Sequence, residues 1–140
     1  MRPGSAVRSA LLTKAALAAE AGDSKGAIAV YAQIAADEDA AQPYRDLALI
    51  RQTLLEYDGL KPQQVIDRMK PLVVEGGGFF ATAGELTALA MLQLGRSAEA
   101  GRLLAQIARD KEAPATTRAR TARLATSLGV TVEPDATIKD

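Results

Sequence analysis

The sequence predicts an all-α fold, namely a right-handed solenoid of about three stacked helical hairpins followed by a C-terminal capping helix. Alanine supplies 29 of the 140 residues and aromatic residues 4%, and this composition favours helices over strands. No segment alternates apolar and polar residues as an amphipathic strand does. Turn-forming glycines recur at Gly22, Gly59 and Gly95, 37 and 36 residues apart. A period of this length is typical of stacked helical hairpins.

Apolar periodicity and turn residues predict seven helices in order, near 6–21, 24–37, 43–57, 62–70, 82–94, 97–111 and 114–128. We expect Gly22, Gly59 and Gly95 each to end a helix as a left-handed C-terminal cap. Each pair of helices between successive glycines therefore forms one hairpin of the stack.

Helix starts are indicated by Pro43, Pro62 and Pro114, because proline is favoured at the first helical position. Thr82 and Glu85 have the spacing of a capping box, which predicts that the fifth helix begins at Thr82.

The last predicted helix, 114–128, has small residues on one face and arginines on the other, as expected for a helix that covers the end of a stack. We therefore expect three regions: a start at 1–5 that is disordered or left over from cloning, a repeat domain at 6–128, and a flexible tail at 129–140.

The chain contains no cysteine and no histidine, which excludes thiol and imidazole catalysis and most zinc chemistry. No nucleophile with an activating base and no cofactor motif is apparent, so we predict a protein that is not an enzyme and binds no cofactor. The 17 basic and 17 acidic residues balance, which disfavours a uniformly basic nucleic-acid binder.

Two polar segments invite a ligand interpretation. The Asp37-Glu38-Asp39 cluster lacks the spacing of a calcium loop and is read as a solvated turn, so no metal site is predicted. The Gly76-Gly77-Gly78 run lacks the lysine and the preceding strand of a phosphate loop and is read as a flexible connector.

Phe79 and Phe80 follow this connector and are candidates for an exposed aromatic anchor. The alternative is that one of them packs against the following helix as a hydrophobic staple, with the other left open.

Charge is unevenly distributed along the chain, with a net of −5 over residues 20–58 and +4 over residues 96–123. This asymmetry could orient a partner or pair one copy with another. The alternative is that these are ordinary solvated helix faces.

The run from Gly22 through Ala27 and Tyr31 to Ile34 resembles the central turn and second helix of a tetratricopeptide repeat. Small Ala27 would let two helices approach closely, and Tyr31 would fill the space against the next hairpin. A weaker likeness lies around Gly95 to Ile107, whereas the repeat around Gly59 is degenerate. The resemblance implies about three tetratricopeptide-like repeats over residues 8–128.

A narrower resemblance rests on residues 44–51, Leu72 in a Pro-Leu-Val stretch, the glycine-rich turn with Phe79 and Phe80, and residues 83–86 and 88–90. These segments are similar to the C-terminal domain of alphaproteobacterial tetratricopeptide-like membrane proteins, which resemble the ancillary subunit of the bacterial Sec translocon. The resemblance implies the extracytoplasmic part of a membrane-anchored, chaperone-like factor that assists secreted or membrane proteins near the translocon.

The first helices of stacked hairpins line a concave groove. In the repeat register the groove-facing residues are Leu12, Ala16, Leu49, Thr53, Glu56, Glu85, Leu89 and Leu92. Because these residues are mostly apolar, an apolar segment or an amphipathic helix of a protein partner suits the groove better than a terminal carboxylate.

The predicted function is therefore a non-catalytic protein–protein interaction domain, and the alternative is a self-associating helical-repeat scaffold that forms homodimers. No apolar stretch is long enough to cross a membrane, so we expect the chain as given to be soluble. The family likeness implies the periplasmic face of the inner membrane, reached through an anchor upstream of Met1.

Overall fold

A computed structural model describes residues 4–132 of the chain, and these residues form seven α-helices and no strand. The helices are α1 Ser5–Glu20, α2 Ser24–Ala36, α3 Gln42–Glu56, α4 Pro62–Met69, α5 Phe80–Gln93, α6 Ser97–Ala108 and α7 Ala115–Ser127. Short 3-10 turns follow α3 at Tyr57–Gly59 and α4 at Lys70–Leu72. The predicted all-α class and the order of the helices are confirmed.

Helix α5 begins two residues before the predicted start, and the predicted capping box is wrong. Phe79 is the N-cap residue, and Thr82 lies within the first turn with its side chain exposed. The turn before α5 is closed by backbone hydrogen bonds from Gly77 to Val74 and from Phe80 to Gly77. Backbone turns therefore set this helix start, and no side-chain cap is involved.

The predicted glycine caps are present at Gly22 and Gly95, whose φ angles are 88° and 76°. At each glycine the next residue donates a backbone hydrogen bond to a carbonyl five positions back, as in a Schellman motif. Gly129 ends α7 in the same way, with φ 84°. Gly59 is not a left-handed cap, because the chain leaves α3 through the 3-10 turn and Gly59 has no positive φ.

The chain forms two compact units, with the boundary between Leu60 and Lys61. This boundary divides the predicted repeat region 6–128. In both units each helix packs against the next one along the chain: α1 on α2 and α2 on α3 in unit 1, then α4, α5, α6 and α7 in succession in unit 2.

The core of unit 1 is built around small residues. Ala15, Ala27 and Ala48 come from α1, α2 and α3 and form one cluster with Tyr31 and Ile34. Ala27 and Ala48 have no exposed surface. Alanine at these places keeps the three helices close, as the sequence predicts for Ala27.

The core of unit 2 lies between α5, α6 and α7 and includes Phe80, Leu104, Ile107 and Ala125. Two positions after α7, Val130 and Val132, pack against this cluster. The folded region therefore includes residues 129–132 of the predicted flexible tail, and residues 133–140 lie outside the described residues. At the other end α1 begins at Ser5, within the predicted disordered start, whose residues 1–3 are likewise not described.

Candidate functional site

Unit 1 contains an open groove between α1 and α3, with a volume of about 190 Å³. Ala16, Ala19 and Glu20 form the wall on α1. Arg51, Leu54 and Leu55 form the wall on α3, and Tyr31 of α2 lies at the base. We call this site the α1–α3 groove.

Both walls follow the i, i+3, i+4 spacing that brings three side chains onto one face of a helix. Each wall residue on α3 follows its counterpart on α1 by 35 residues: 16 and 51, 19 and 54, 20 and 55. The two helices therefore present matching faces in one register, close to the period of the turn glycines.

The groove combines a closed apolar base with an exposed apolar wall. Tyr31 is 1% exposed, whereas Leu54 is 51% exposed. Glu20 and Arg51, both exposed, place one negative and one positive charge at the rim. A cavity of about 150 Å³ can hold a benzene-sized group, so the groove has room for one large apolar side chain.

The predicted groove residues of unit 1 are distributed over several environments. Ala16 lines the α1–α3 groove, whereas Leu12 packs against the core cluster. Leu49 and Glu56 are partly buried. Thr53 has no exposed surface, and its hydroxyl donates to the carbonyl oxygen of Leu49 at 2.7 Å. Thr53 is therefore a packing residue, and the groove face of α3 lies at 51, 54 and 55 instead.

The predicted groove residues of unit 2 all lie on α5. Leu89 is 47% exposed, and Leu92 packs partly buried against the core cluster. Glu85 accepts hydrogen bonds from the Arg120 guanidinium of α7, the shortest at 2.8 Å. Hydrogen bonding to Glu85 raises the pKa of Arg120, so this ion pair joins α5 to α7.

Phe80 is not an exposed anchor, because it is 3% exposed and belongs to the core of unit 2. Because α5 begins two residues early, Phe80 is its first residue, and the side chain is buried. Phe79 is half-buried at the N-cap position. The expected staple ahead of Thr82 is not formed by Phe80 either, because Phe80 is the first residue of α5 and packs in the core of unit 2.

The acidic cluster that follows α2 is tied into unit 1. The Arg8 guanidinium of α1 donates to the Asp37 carboxylate at 3.3 Å, and the other Asp37 oxygen accepts from the Asp39 backbone N–H at 3.0 Å. Within residues 4–132, no group of three or more acidic side chains is placed to hold a metal ion.

Perturbed ionisable groups are few among the described residues. The Arg96 guanidinium, hydrogen-bonded to Glu99 at 2.7 Å, holds the pKa of the Glu99 carboxyl below its ordinary value. Burial, with a smaller contribution from Asp58, raises the pKa of Tyr57. Both shifts have structural causes, an ion pair and a partly buried phenol.

The fold and the groove define a class: an all-helical, helical-repeat-like protein in which consecutive helices pack together and matched helix faces form an open groove. Comparison with protein-family models, curated proteins and solved structures found no match to the chain. In the part of the chain that the structure describes, none of the helices has the length and apolar character needed to span a membrane.

Proposed function

We propose that this chain is a non-catalytic protein-interaction domain whose α1–α3 groove holds an apolar side chain of a partner helix. The observation that carries the proposal is Leu54, half exposed on a groove wall directly beside the closed Tyr31 base. Exposed apolar side chains next to a concave site are typical of helix-in-groove recognition.

The rim of the groove carries no net charge, and this bears on the kind of partner that it can bind. Glu20 and Arg51 balance each other, so the rim selects neither an acidic nor a basic segment by net charge. An amphipathic helix with a leucine or a similar side chain toward the groove fits best, since its apolar contact area supplies the affinity.

A repeated helix arrangement would account for the matched walls of the groove. The constant 35-residue offset between the two walls is what two consecutive repeats would produce. A solenoid of about three tetratricopeptide-like hairpins with α7 as its cap is the form that we propose for the whole chain.

The cellular role that we propose rests on the sequence likeness at residues 44–51 and 83–90. In this role the chain is an extracytoplasmic domain of a membrane-anchored factor, and that factor assists secreted or membrane proteins near the Sec translocon. Photo-crosslinking from position 54 in intact cells tests this role, because translocon subunits or secreted precursors should be the main adducts. Adducts that are exclusively cytosolic proteins would contradict it.

The groove itself is tested with a fluorescent amphipathic peptide of about 16 residues, long enough to form a helix on docking, made of leucine, alanine and glutamine. We expect Leu54→Ser to weaken binding by about tenfold, because an exposed leucine that becomes covered contributes about 1.5 kcal/mol. Fluorescence anisotropy on the full chain measures the affinity.

Leu17→Ser is the matched control, since Leu17 is 59% exposed on α1 but does not line the groove. The control should bind the peptide like the parent protein. Equal losses in both variants, or no loss in Leu54→Ser, would show that the α1–α3 groove is not the docking site.

Self-association of the chain is the competing function, and light scattering over a range of concentrations separates the two. A monomer that binds the peptide supports the proposal. A dimer that dissociates in Leu54→Ser would instead assign the groove to a second copy.

A further inference from the structure

Unit 2 contains a larger cleft, about 590 Å³, that lies between α4 and α6 over α5. This volume is within the range of about 300–1,000 Å³ typical of ligand sites. None of the groove residues predicted from the sequence lines it. We call it the α4–α6 cleft.

The two walls of the cleft are matched helix faces. Gln63, Ile66, Asp67 and Lys70 follow one another at i, i+3, i+4 and i+7 along α4 and the turn after it.

The facing wall on α6 has the same spacing. It consists of Glu99, Arg102, Leu103 and Gln106, each 36 residues after its counterpart on the first wall. Two helix faces with the same residue spacing form a trough, and an extended or helical segment can lie along it.

The floor of the cleft is apolar and partly open. Met91 of α5 contributes to it, together with Val73 and Ile66, and all three side chains are partly buried. Leu103, which belongs to the core of unit 2, closes the base. A segment in the trough would therefore cover apolar surface.

The charged side chains of the two walls differ in how they are bonded. Glu99 is bound by Arg96 through two hydrogen bonds, at 2.7 and 3.2 Å, and this contact keeps the pKa of Glu99 low. Asp67 accepts a hydrogen bond from Gln63 at 2.9 Å. Lys70 and Arg102 are exposed, and the charge of Arg102 also contributes to the low pKa of Glu99. The cleft is lined by three cations, Lys70, Arg96 and Arg102, and by two carboxylates, Asp67 and Glu99, so its lining carries a net charge of +1.

Unit 2 as a whole also carries a net positive charge. Residues 61–132 carry ten Lys and Arg against six Asp and Glu, a net charge of +4. A field of this sign attracts acidic partners and repels basic ones.

We infer that the α4–α6 cleft binds an acidic amphipathic peptide segment of a partner protein, with apolar side chains on the floor and carboxylates toward Lys70 and Arg102. Two exposed cations on opposite walls, above an apolar floor, match a segment that carries acids on both sides of an apolar stripe. This site goes beyond the α1–α3 groove of the proposed function and shares no residue with it.

The test uses two rhodamine-labelled peptides of about 16 residues, one of leucine, alanine and glutamate and one with lysine in place of each glutamate. At low salt we expect the full chain to bind the glutamate peptide at least about tenfold more tightly than the lysine peptide, and higher salt to reduce this preference. Lys70→Glu with Arg102→Glu should weaken glutamate-peptide binding by about tenfold or more.

Lys111→Glu with Arg123→Glu is the matched control, because it makes the same change in net charge at two exposed residues outside the cleft. It should weaken binding by less than about threefold through the general field alone. If folding of the reversed variant is impaired, Lys70→Gln with Arg102→Gln removes the same charges without adding repulsion. Thermal unfolding followed by circular dichroism checks both variants.

Equal losses in the cleft and control variants would overturn the inference, since they would show attraction by net charge alone. Unchanged binding in both cleft variants would overturn it as well. The Leu54→Ser protein should retain the acidic peptide, so failure of the cleft and failure of the α1–α3 groove give different results.

Discussion

Substitution of Ala27 by leucine tests the packing on which the α1–α3 groove depends. Ala27 has no exposed surface and lies in one cluster with Ala15 of α1 and Ala48 of α3. Three additional carbon atoms at this position have to displace Tyr31 or separate the helices. Overpacking of a filled core costs about 1–3 kcal/mol, and we expect a loss of stability in this range.

The tyrosines offer an assay that is specific for this part of the chain. Tyr31, Tyr44 and Tyr57 all lie in unit 1, and the protein contains no tryptophan. Tyrosine fluorescence during urea unfolding therefore follows unit 1. For a urea dependence of about 1 kcal/mol per molar, the midpoint should fall by roughly 1–3 M.

Ala29→Leu is the control for the same substitution on the same helix, because Ala29 is exposed on α2. Alanine and leucine have similar helix propensities, so this variant should remain within about 0.5 kcal/mol of the parent. If Ala27→Leu unfolds at the same urea concentration as Ala29→Leu, the close approach of α1, α2 and α3 at Ala27 is refuted.

Two further predictions concern unit 2. Phe80→Ala should destabilise the protein by about 3–5 kcal/mol because it empties a buried site, whereas Phe79→Ala, at a half-buried residue, should cost clearly less. Calorimetry of the two variants checks this, and equal losses would contradict the core position of Phe80. Arg96→Ala should raise the pKa of Glu99 toward its ordinary value, as followed by NMR titration of the carboxyl carbon. Because the folded pKa of Glu99 is lowered, the stabilisation from this pair is present at neutral pH and is lost as the pH falls below the ordinary glutamate range. An unchanged titration of Glu99 in Arg96→Ala would argue against the ion pair as the cause.

Much of the secondary structure follows from local sequence signals. Gly22 and Gly95 end helices because each adopts a left-handed conformation that other residues rarely take. Pro62 stands at the first position of α4, where its missing N–H costs nothing. These signals need no knowledge of the tertiary structure, which is why most predicted helix bounds lie within one residue of the observed ones.

The details that the sequence did not predict depend on tertiary packing. Thr53 has a polar side chain but occupies a core position, because its hydroxyl is satisfied by the backbone of its own helix. The repeat register assigned from the sequence therefore places Thr53 in the groove, whereas the residue is buried. The burial of Phe80 likewise depends on tertiary packing, since Phe80 shares one core cluster with Leu104 and Ile107 of α6, and no local signal in the sequence reports this.

One signal in the sequence could have located both open sites. Residues at i, i+3 and i+4 that recur after 35 residues in α1 and α3, and after 36 in α4 and α6, mark the facing walls. The period of the turns is visible in the sequence, but it does not show which face of each helix is aligned. In unit 1 that face depends on the buried alanines packed between α1, α2 and α3.

The most direct test of the α1–α3 groove is NMR mapping of the neutral leucine, alanine and glutamine peptide on the isotopically labelled full chain. The account predicts that the largest shift changes occur at Ala16, Ala19, Arg51, Leu54 and Leu55, with Tyr31 at their centre. Shift changes concentrated elsewhere, or none at saturating peptide, would contradict the assignment of this groove as the docking site.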